Sequence, residues 1–284
     1  MPALLPRLFL VGLLGLTSSL VAQDKNFYVF LCLGQSNMEG FPGIKDEDKG
    51  PVDQRFQMLA AVDFPLLERT MGHWYPAVPP LCRPSTGLGP TDYFGRTLVA
   101  QLPAAIKVGV VNVAVAGAKI EVFDKEHFGD YAATAPAWMK GIIAAYGGNP
   151  YARLVELGRE ARKAGVIKGI LLHQGESNPN DPAWAAKVKA VYENLLHDLD
   201  LQAADVPLIA GEVVNADQQG KCAAMNQTID ALPRTIPTAH IVSSAGCACR
   251  ADHLHFTPEG YRELGRRYAA TVLPLLGVKA EPGH

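Results

Sequence analysis

Two segments far apart in the chain carry the side chains that nucleophilic acyl transfer requires. The segment 34–38 reads Gly-Gln-Ser-Asn-Met and follows an apolar run, which places the hydroxyl of Ser36 at the expected carboxyl end of a strand. Much later, Asp252 precedes His255 by three residues, so the carboxylate can fix the tautomer and the orientation of the imidazole. A serine that is activated by such a histidine can attack an ester carbonyl.

A third segment, 172–178, could contribute to the same chemistry. It reads Leu-His-Gln-Gly-Glu-Ser-Asn and follows another apolar run. The side-chain amide of Gln174 or Asn178 could donate a hydrogen bond to a developing oxyanion, and Glu176 could be a second carboxylate near the histidine. His173 is more typical of a buried structural histidine.

A fourth segment, 112–117, ends at Gly117, whose backbone N–H is free to face a substrate. Taken singly, the motifs also fit ordinary turns, because Gly, Ser and Asn favour turns. A zinc site built from the stretch 247–255 is disfavoured, because Cys247 and Cys249 are separated by one residue whereas structural zinc pairs are separated by two to four.

The motifs fall where strands are expected to end. Apolar runs of strand length alternate with segments of helical period, which predicts a mostly parallel sheet covered by helices. The expected strands are 27–33, 106–115, 166–172, 206–214 and 239–243, and the expected helices are 91–101, 151–164, 183–199, 217–231 and 258–275.

Helix boundaries and loops complete the predicted organisation. Gly165 should end the second helix, and Thr257 and Pro258 should cap and begin the last one. Residues 40–90 and 116–150 are rich in Gly, Pro and aromatics and show no clean period, so we expect long functional loops there. Ligands of such sheets bind beyond the carboxyl ends of the strands.

The composition describes an ordinary globular protein. Hydrophobic residues make up 48% of the chain and charged residues 19%, which argues against long disordered or fibrous regions. The formal net charge is −2, and no basic patch indicates a nucleic-acid partner. Neutral polymers such as polysaccharides are compatible partners.

Residues 1–22 have the pattern of an export signal. Arg7 precedes the apolar run 8–16, and hydroxyl residues and a small Ala22 follow. The run is too short to span a hydrocarbon core of about 30 Å. We therefore expect cleavage near Ala22 and a secreted or periplasmic protein without stable membrane insertion, with one folded domain over 23–278 and a loose tail over 279–284.

Five cysteines in an exported chain allow up to two disulfides. Cys32 lies within the apolar run 27–33, where we expect a buried free thiol. The sequence does not fix the pairing of the other four, which are Cys82, Cys222, Cys247 and Cys249.

Four ordered motifs together indicate a family. GQSNM, VNVAVAG, HQGESN and DHLHF resemble, in this order, the sequence blocks of the sialate O-acetylesterase and acetylxylan esterase family within the SGNH hydrolases. The likeness extends from about residue 27 to residue 272 and includes the stretches GLGPTDYFGRTL and GYRELGRRYA.

The resemblance implies a flavodoxin-like three-layer α/β/α sandwich with a mostly parallel five-stranded sheet, and it implies no metal and no organic cofactor. It also assigns roles to individual residues. The catalytic set would be Ser36, Asp252 and His255, the oxyanion donors would be the Ser36 and Gly117 backbone N–H groups and the Gln174 side chain, and supporting residues would be Gln35, Glu176 and Asn178.

The function implied is hydrolysis of acetyl esters on carbohydrate, such as acetylxylan or a related glycan, through an acetyl-enzyme. Alternatives are a sialate O-acetylesterase and a broader carboxylesterase acting, for example, on feruloyl esters. A further alternative is a secreted carbohydrate-binding protein, in which Trp74, Trp138 and Trp184 could stack on sugar rings. The sequence does not indicate an oligomeric state.

Overall fold

The apolar runs of the chain form one sheet in a computed structural model that describes residues 23–41 and 43–278. The predicted signal segment 1–22 and the predicted tail 279–284 lie outside the described residues. The strands are β1 (Asp24–Gly34), β2 (Phe56–Leu59), β3 (Trp74–Pro76), β4 (Lys107–Ala114), β5 (Gly165–His173), β6 (Leu208–Gly211) and β7 (Ala239–Val242).

The sheet contains the five predicted strands and two more. Its order is β3-β2-β4-β1-β5-β6-β7, and every neighbouring pair is parallel except β2 with β3. The five-strand count was wrong because β2 and β3 are only four and three residues long and lie in the stretch 40–90, which we expected to be loop. The other five have the 2-1-3-4-5 order of a flavodoxin-like sheet.

Helices cover both faces of this sheet, as the family resemblance implied. Phe30 of β1 packs edge-on against Phe94, with ring centroids 4.8 Å apart, whereas Leu33 faces Val188 and Leu195. Residues 30 and 33 point to opposite faces of a strand. The helices are α1 (Ser36–Glu39), α2 (Asp46–Lys49), α3 (Pro90–Gln101), α4 (Phe128–Thr134), α5 (Ala137–Ala145), α6 (Pro150–Ala164), α7 (Trp184–Asp198), α8 (Asn226–Asp230), α9 (Leu232–Thr235) and α10 (Pro258–Leu275).

The capping signals gave correct boundaries for the long helices. The Thr257 side chain accepts a hydrogen bond from the Gly260 N–H at 3.2 Å, and α10 begins at Pro258 as predicted. Helix α6 ends before Gly165, and its N-cap Asn149 accepts from the Ala152 N–H at 3.0 Å. Side-chain capping therefore fixes the N-terminal ends of α6 and α10.

Two sequence expectations about the remaining segments were wrong. The stretch 116–150 contains α4 and α5 and is not a long loop. The helix expected over 217–231 is broken into two 3₁₀ turns and the short α8, because Gln219 adopts a left-handed φ of 57°. At Gly220 a Cβ would lie 1.9 Å from the Val214 carbonyl oxygen, so the chain turns there at close quarters.

The ends of β1 and β5 approach each other closely, which brings two of the sequence motifs together. A Cβ on Gly34 would lie 2.1 Å from the His173 carbonyl oxygen, so a glycine is required there. The chain leaves β1 toward one side of the sheet and later crosses to β5 on the other, and ligands of such sheets bind at this switch point.

All five cysteines are free thiols in the structure, so the disulfides that export would permit are not formed in it. Cys32 is fully buried, as predicted for a small apolar side chain. Burial also raises the pKa of the Cys82 thiol to about 11. Within residues 23–41 and 43–278, no helix has the length and apolar character needed to cross a membrane.

Candidate active site

A cleft of about 680 Å³ opens beyond the carboxyl ends of the strands. Ser36 lies at its floor, where β1 ends and α1 begins, and its residue surface is 8% exposed. The walls come from the segments that follow β1, β4 and β5, from residues 85–87 and from residues 250–255. All four sequence motifs contribute residues to the lining of this cleft.

The Ser36, His255 and Asp252 side chains form one hydrogen-bonded chain. His255 Nε2 lies 3.0 Å from Ser36 Oγ, and His255 Nδ1 lies 2.8 Å from Asp252 Oδ2. Because the carboxylate accepts the Nδ1–H, the Nε2 lone pair faces the hydroxyl. This arrangement can take a proton from Ser36 as its oxygen attacks a carbonyl.

The Asp252 carboxylate is fixed by the turn that carries it. Its Oδ1 accepts hydrogen bonds from the Leu254 and His255 backbone N–H groups, each at 3.0 Å. Although partial burial opposes the shift, these bonds and the one from the imidazole lower the pKa of Asp252 to about 2. The carboxylate is therefore ionised at neutral pH.

Two backbone N–H groups at the cleft are available for an oxyanion. Among the described residues, neither the Ser36 N–H nor the Gly117 N–H donates a hydrogen bond. Gly117 has φ 65°, and a Cβ there would lie 2.7 Å from the ring of Trp138. The backbone therefore needs a glycine at this position both for its conformation and for space.

The segment that carries Gly117 is fixed by contacts on each side of it. Ser177 Oγ donates to the Gly117 carbonyl at 3.0 Å, and the Ala118 N–H donates to the Val115 carbonyl at 3.1 Å. The Ala116 N–H donates to Glu39 Oε2 at 2.8 Å. Sequence reasoning missed Glu39, although it directly follows the GQSNM motif.

The structure does not present the Gln174 amide to the cleft. Gln174 is 1% exposed, and its Nε2 lies 2.7 Å from Asn178 Oδ1 and 3.1 Å from Gln35 Oε1. Its Oε1 accepts the Trp184 indole N–H at 2.5 Å. Both ends of the Gln174 amide are therefore bound to neighbouring loops. The Gln174 side chain, which the resemblance assigned as an oxyanion donor, does not donate into the cleft in this structure.

Asn178 and Gln35 also brace these loops. Asn178 Oδ1 accepts from the Ile120 N–H at 2.9 Å, and its Nδ2 lies 3.0 Å from Glu121. Gln35 Oε1 accepts from the Ser177 N–H at 3.2 Å as well as from Gln174. Both residues thus support the segments around Ser36 and Gly117.

Glu176 is connected through Asn37 to the turn that carries Asp252 and His255. Asn37 Nδ2 donates to Glu176 Oε1 at 2.5 Å and to the Leu254 carbonyl at 3.0 Å, and Tyr261 OH donates to Asn37 Oδ1 at 2.6 Å. Burial raises the pKa of Glu176. The Glu176 carboxyl makes no hydrogen bond to His255, so it supports the turn that positions the imidazole.

His173 is a structural histidine, as the sequence indicated. It is fully buried, and its Nδ1 lies 3.3 Å from Tyr268 OH. Burial lowers the pKa of His173 to about 3, so the ring is neutral at ordinary pH.

An exposed aromatic side chain, Phe41, lines the cleft, and a second, Trp138, lies beside the lining residue Gly117. Phe41, 42% exposed, lies against the His255 ring with centroids 4.5 Å apart, and the Arg250 guanidinium lies 5.0 Å from the Phe41 ring centre. Trp138 is 57% exposed beside Gly117. Of the three tryptophans considered for sugar stacking, Trp184 is fully buried and Trp74 packs on Phe27.

Comparison with known proteins supports the grouping of motifs. A sequence model of the carbohydrate esterase family described as sialic acid-specific acetylesterase matches residues 26–274. Among solved structures, a protein from Arabidopsis thaliana is 22% identical with a TM-score of 0.65 and covers 88% of this chain and 99% of its own.

Two further structures have the same fold. NanS is 17% identical with a TM-score of 0.66, over 90% of this chain and 99% of that one. A carbohydrate acetylesterase from Xanthomonas citri is 17% identical with a TM-score of 0.60, over 87% of this chain and 56% of that one.

Proposed function

Because this chain belongs to the sialic acid-specific acetylesterase family of carbohydrate esterases, we propose that it removes O-acetyl groups from carbohydrate by a serine-esterase mechanism. Its nucleophile would be Ser36, its general base His255, and Asp252 would orient the imidazole. The observation that carries the proposal is the continuous pair of contacts, 3.0 Å from hydroxyl to imidazole and 2.8 Å from imidazole to carboxylate.

In the first half of the reaction, Ser36 Oγ attacks the acetyl carbonyl carbon while its proton passes to His255 Nε2. The carbonyl oxygen becomes an oxyanion, and the Asp252 carboxylate stabilises the imidazolium that forms. When the tetrahedral species collapses, His255 gives the proton to the departing sugar oxygen. The sugar leaves as an alcohol, and the acetyl group remains on Ser36 as an ester.

The second half repeats these steps with water. His255 takes a proton from a water molecule as its oxygen attacks the acetyl-serine, and then returns that proton to Ser36 Oγ. Acetic acid leaves, and the serine is regenerated. The reaction converts ester and water into alcohol and acetic acid, which ionises to acetate by releasing a proton to solvent.

The Ser36 and Gly117 backbone N–H groups would hold the oxyanion in both halves. Both border the cleft, and both lack other acceptors among the described residues. Loss of one such donor typically costs about 10²- to 10³-fold in kcat. Two fixed backbone donors would therefore supply a large part of the rate enhancement.

The rim of the cleft is consistent with a sugar substrate. Phe41 lines the cleft, the exposed ring of Trp138 lies beside Gly117, and such faces can stack on pyranose rings. Stacking of this kind would favour a glycan ester, such as acetylxylan or a related glycan, over a simple alkyl ester.

A second candidate substrate is an acidic sugar such as an O-acetylated sialic acid. Arg250 lines the cleft, and its guanidinium forms no ion pair or hydrogen bond with any described residue. In contrast, Asp252 is bound to His255, and Glu39 is bound to Arg83. An arginine that stacks on Phe41 but has no anionic partner among the described residues favours a carboxylate on the substrate.

The proposal includes export, because residues 1–22 have the pattern of a signal segment. Extracellular or periplasmic glycans would then be the accessible substrates.

The decisive experiment compares acetate release from acetylated xylan, acetylated pectin and O-acetylated sialosides, with butyryl and feruloyl esters as tests of a broader carboxylesterase. Release from an acetylated glycan by the native chain and not by Ser36→Ala supports the proposal. A chain that binds these glycans but neither releases acetate nor reacts with a fluorophosphonate would be a binding protein.

A further inference from the structure

A buried ion pair connects the nucleophile's helix to the loop that carries the second oxyanion donor. Glu39 is the last residue of α1, three positions after Ser36, and its side chain is 10% exposed. Its Oε2 accepts from Arg83 Nη2 at 2.7 Å and from the Ala116 N–H at 2.8 Å. One carboxylate oxygen therefore contacts both neighbouring segments of the cleft.

The contact with Ala116 constrains the adjacent Gly117 N–H. The peptide unit before Ala116 is held by Glu39, and the carbonyl of Gly117 is held by Ser177. The peptide N–H of Gly117 lies between these two fixed units. The direction of the Gly117 N–H is therefore fixed by a hydrogen bond on each side of it. The bond on the N-terminal side is to Glu39, which lies in the same helix as Ser36.

Arg83 keeps the Glu39 carboxylate in place and joins a third cleft segment to it. Burial raises the pKa of Glu39, whereas the Arg83 guanidinium and the Ala116 N–H favour its charged form. The Arg83 backbone N–H donates to the Thr86 hydroxyl, and this hydroxyl donates to the Arg83 carbonyl. Thr86 lines the cleft. The pair thus holds together the residues around 36, 86 and 117.

We propose that Glu39 is a positioning residue that sets the separation between the Ser36 and Gly117 N–H groups. This inference rests on the serine-esterase mechanism proposed above. It predicts that the acceptor at position 39 matters for the rate of the chemical steps and much less for binding of the ground-state ester.

The test needs variants that leave no unpaired charge, because removal of one member of a buried ion pair strands the other. Replacement of both members by uncharged side chains is commonly tolerated. We therefore compare Glu39→Leu with Glu39→Gln, each in the Arg83→Met background. The two double variants differ in whether position 39 can accept the Ala116 N–H.

The expected result is a difference in kcat and little difference in KM. With p-nitrophenyl acetate, the Leu variant should have a kcat about 10- to 100-fold below that of the Gln variant, because a misplaced oxyanion donor loses most of its effect. Their KM values should agree within about threefold. Inactivation by a fluorophosphonate, whose phosphoryl oxygen occupies the oxyanion position, should slow in parallel.

Equal kcat values in the two double variants, with matching thermal unfolding midpoints, would overturn the proposal. If the Arg83→Met background does not fold, the single variants Glu39→Gln and Glu39→Leu are compared instead, because both leave Arg83 without its carboxylate and differ in the acceptor at position 39. The Leu variant should again have a kcat about 10- to 100-fold below that of the Gln variant, and equal kcat values in the two folded proteins contradict the positioning role.

A parallel Ser36→Ala measurement separates this inference from the mechanism beneath it. Activity that survives Ser36→Ala removes both. If Ser36→Ala abolishes activity while the two double variants remain equal, only the role of Glu39 is lost.

Discussion

His255 Nε2 and Ser36 Oγ lie 3.0 Å apart although 219 positions of sequence separate the two residues. The distance is that of a hydrogen bond, and the imidazole is oriented from behind by Asp252 at 2.8 Å.

Asp252→Asn should lower kcat by about 10³- to 10⁴-fold while the chain stays folded. An asparagine amide can donate to the imidazole and so favour the tautomer in which Nε2 carries the proton, which leaves no lone pair for the Ser36 hydroxyl. Steady-state hydrolysis of p-nitrophenyl acetate measures the effect. Asp130→Asn, on the exposed face of α4, is the matched control, and a similar small change in both variants would remove Asp252 from the mechanism.

Gly117→Ala should reduce both stability and activity. The positive φ of 65° costs a non-glycine residue about 1 kcal/mol or more, and the added Cβ also meets the Trp138 ring at 2.7 Å. We expect kcat to fall at least about 100-fold because the backbone N–H of residue 117 is displaced.

The double variant Gly117→Ala with Trp138→Ala separates these two causes. It removes the collision but keeps the backbone strain, so the free energy of unfolding should recover only in part. Urea unfolding measures it, and full recovery would mean that the strain contributes nothing.

Trp138→Ala should impair hydrolysis of acetylated oligosaccharides more than hydrolysis of p-nitrophenyl acetate. Loss of one stacking contact is worth about 0.5 to 1.5 kcal/mol, so the ratio of the two kcat/KM values should shift by about 2- to 12-fold. Leu66→Ala is the control, because Leu66 is 96% exposed and lies outside the cleft. An unchanged ratio would show that Trp138 does not contact the sugar.

His173→Gln should be less destabilising at pH 5.0 than at pH 7.5. The folded protein lowers the pKa of His173 from 6.5 to about 3 by burial, so the unfolded chain binds a proton that the folded chain does not. The free energy of unfolding that depends on the neutral His173 ring is fully present above the pKa of this ring in the unfolded chain, which is 6.5. It decreases as the pH falls below that value. Over the 1.5 pH units below 6.5 this amounts to about 2 kcal/mol.

Urea unfolding of the native chain and of His173→Gln at the two pH values provides the measurement. The difference in free energy of unfolding between the two proteins should shrink by that amount at pH 5.0. A difference that is the same at both pH values would contradict the assignment of a neutral buried ring.

The sequence predicted the part of the fold that depends on long apolar runs and strong caps. β1, β4, β5, β6 and β7 were expected within a few residues, since each fills a buried layer and is followed by turn residues. The strands β2 and β3 were missed, because three or four residues at a sheet edge carry no usable period.

The candidate site was likewise predicted only where short local motifs indicate it. Ser36, Asp252 and His255 lie in short motifs whose residue types suggest their chemistry. Gln174 has the right type for an oxyanion donor, but its orientation depends on Trp184, Asn178 and Gln35, which come from other segments. Glu39 and Arg83 gave no signal because their pairing exists only after folding.

The placement of the reacting groups along the chain also determines when activity can appear. Ser36 follows the first strand, whereas His255 precedes α10, the last helix described, which packs on α3. During synthesis Ser36 therefore emerges long before His255. The two side chains can come into contact only when α10 packs on the rest of the domain. Under the proposed mechanism, chains that end before His255 should be inert toward esters, so turnover would itself report that the last helix has docked.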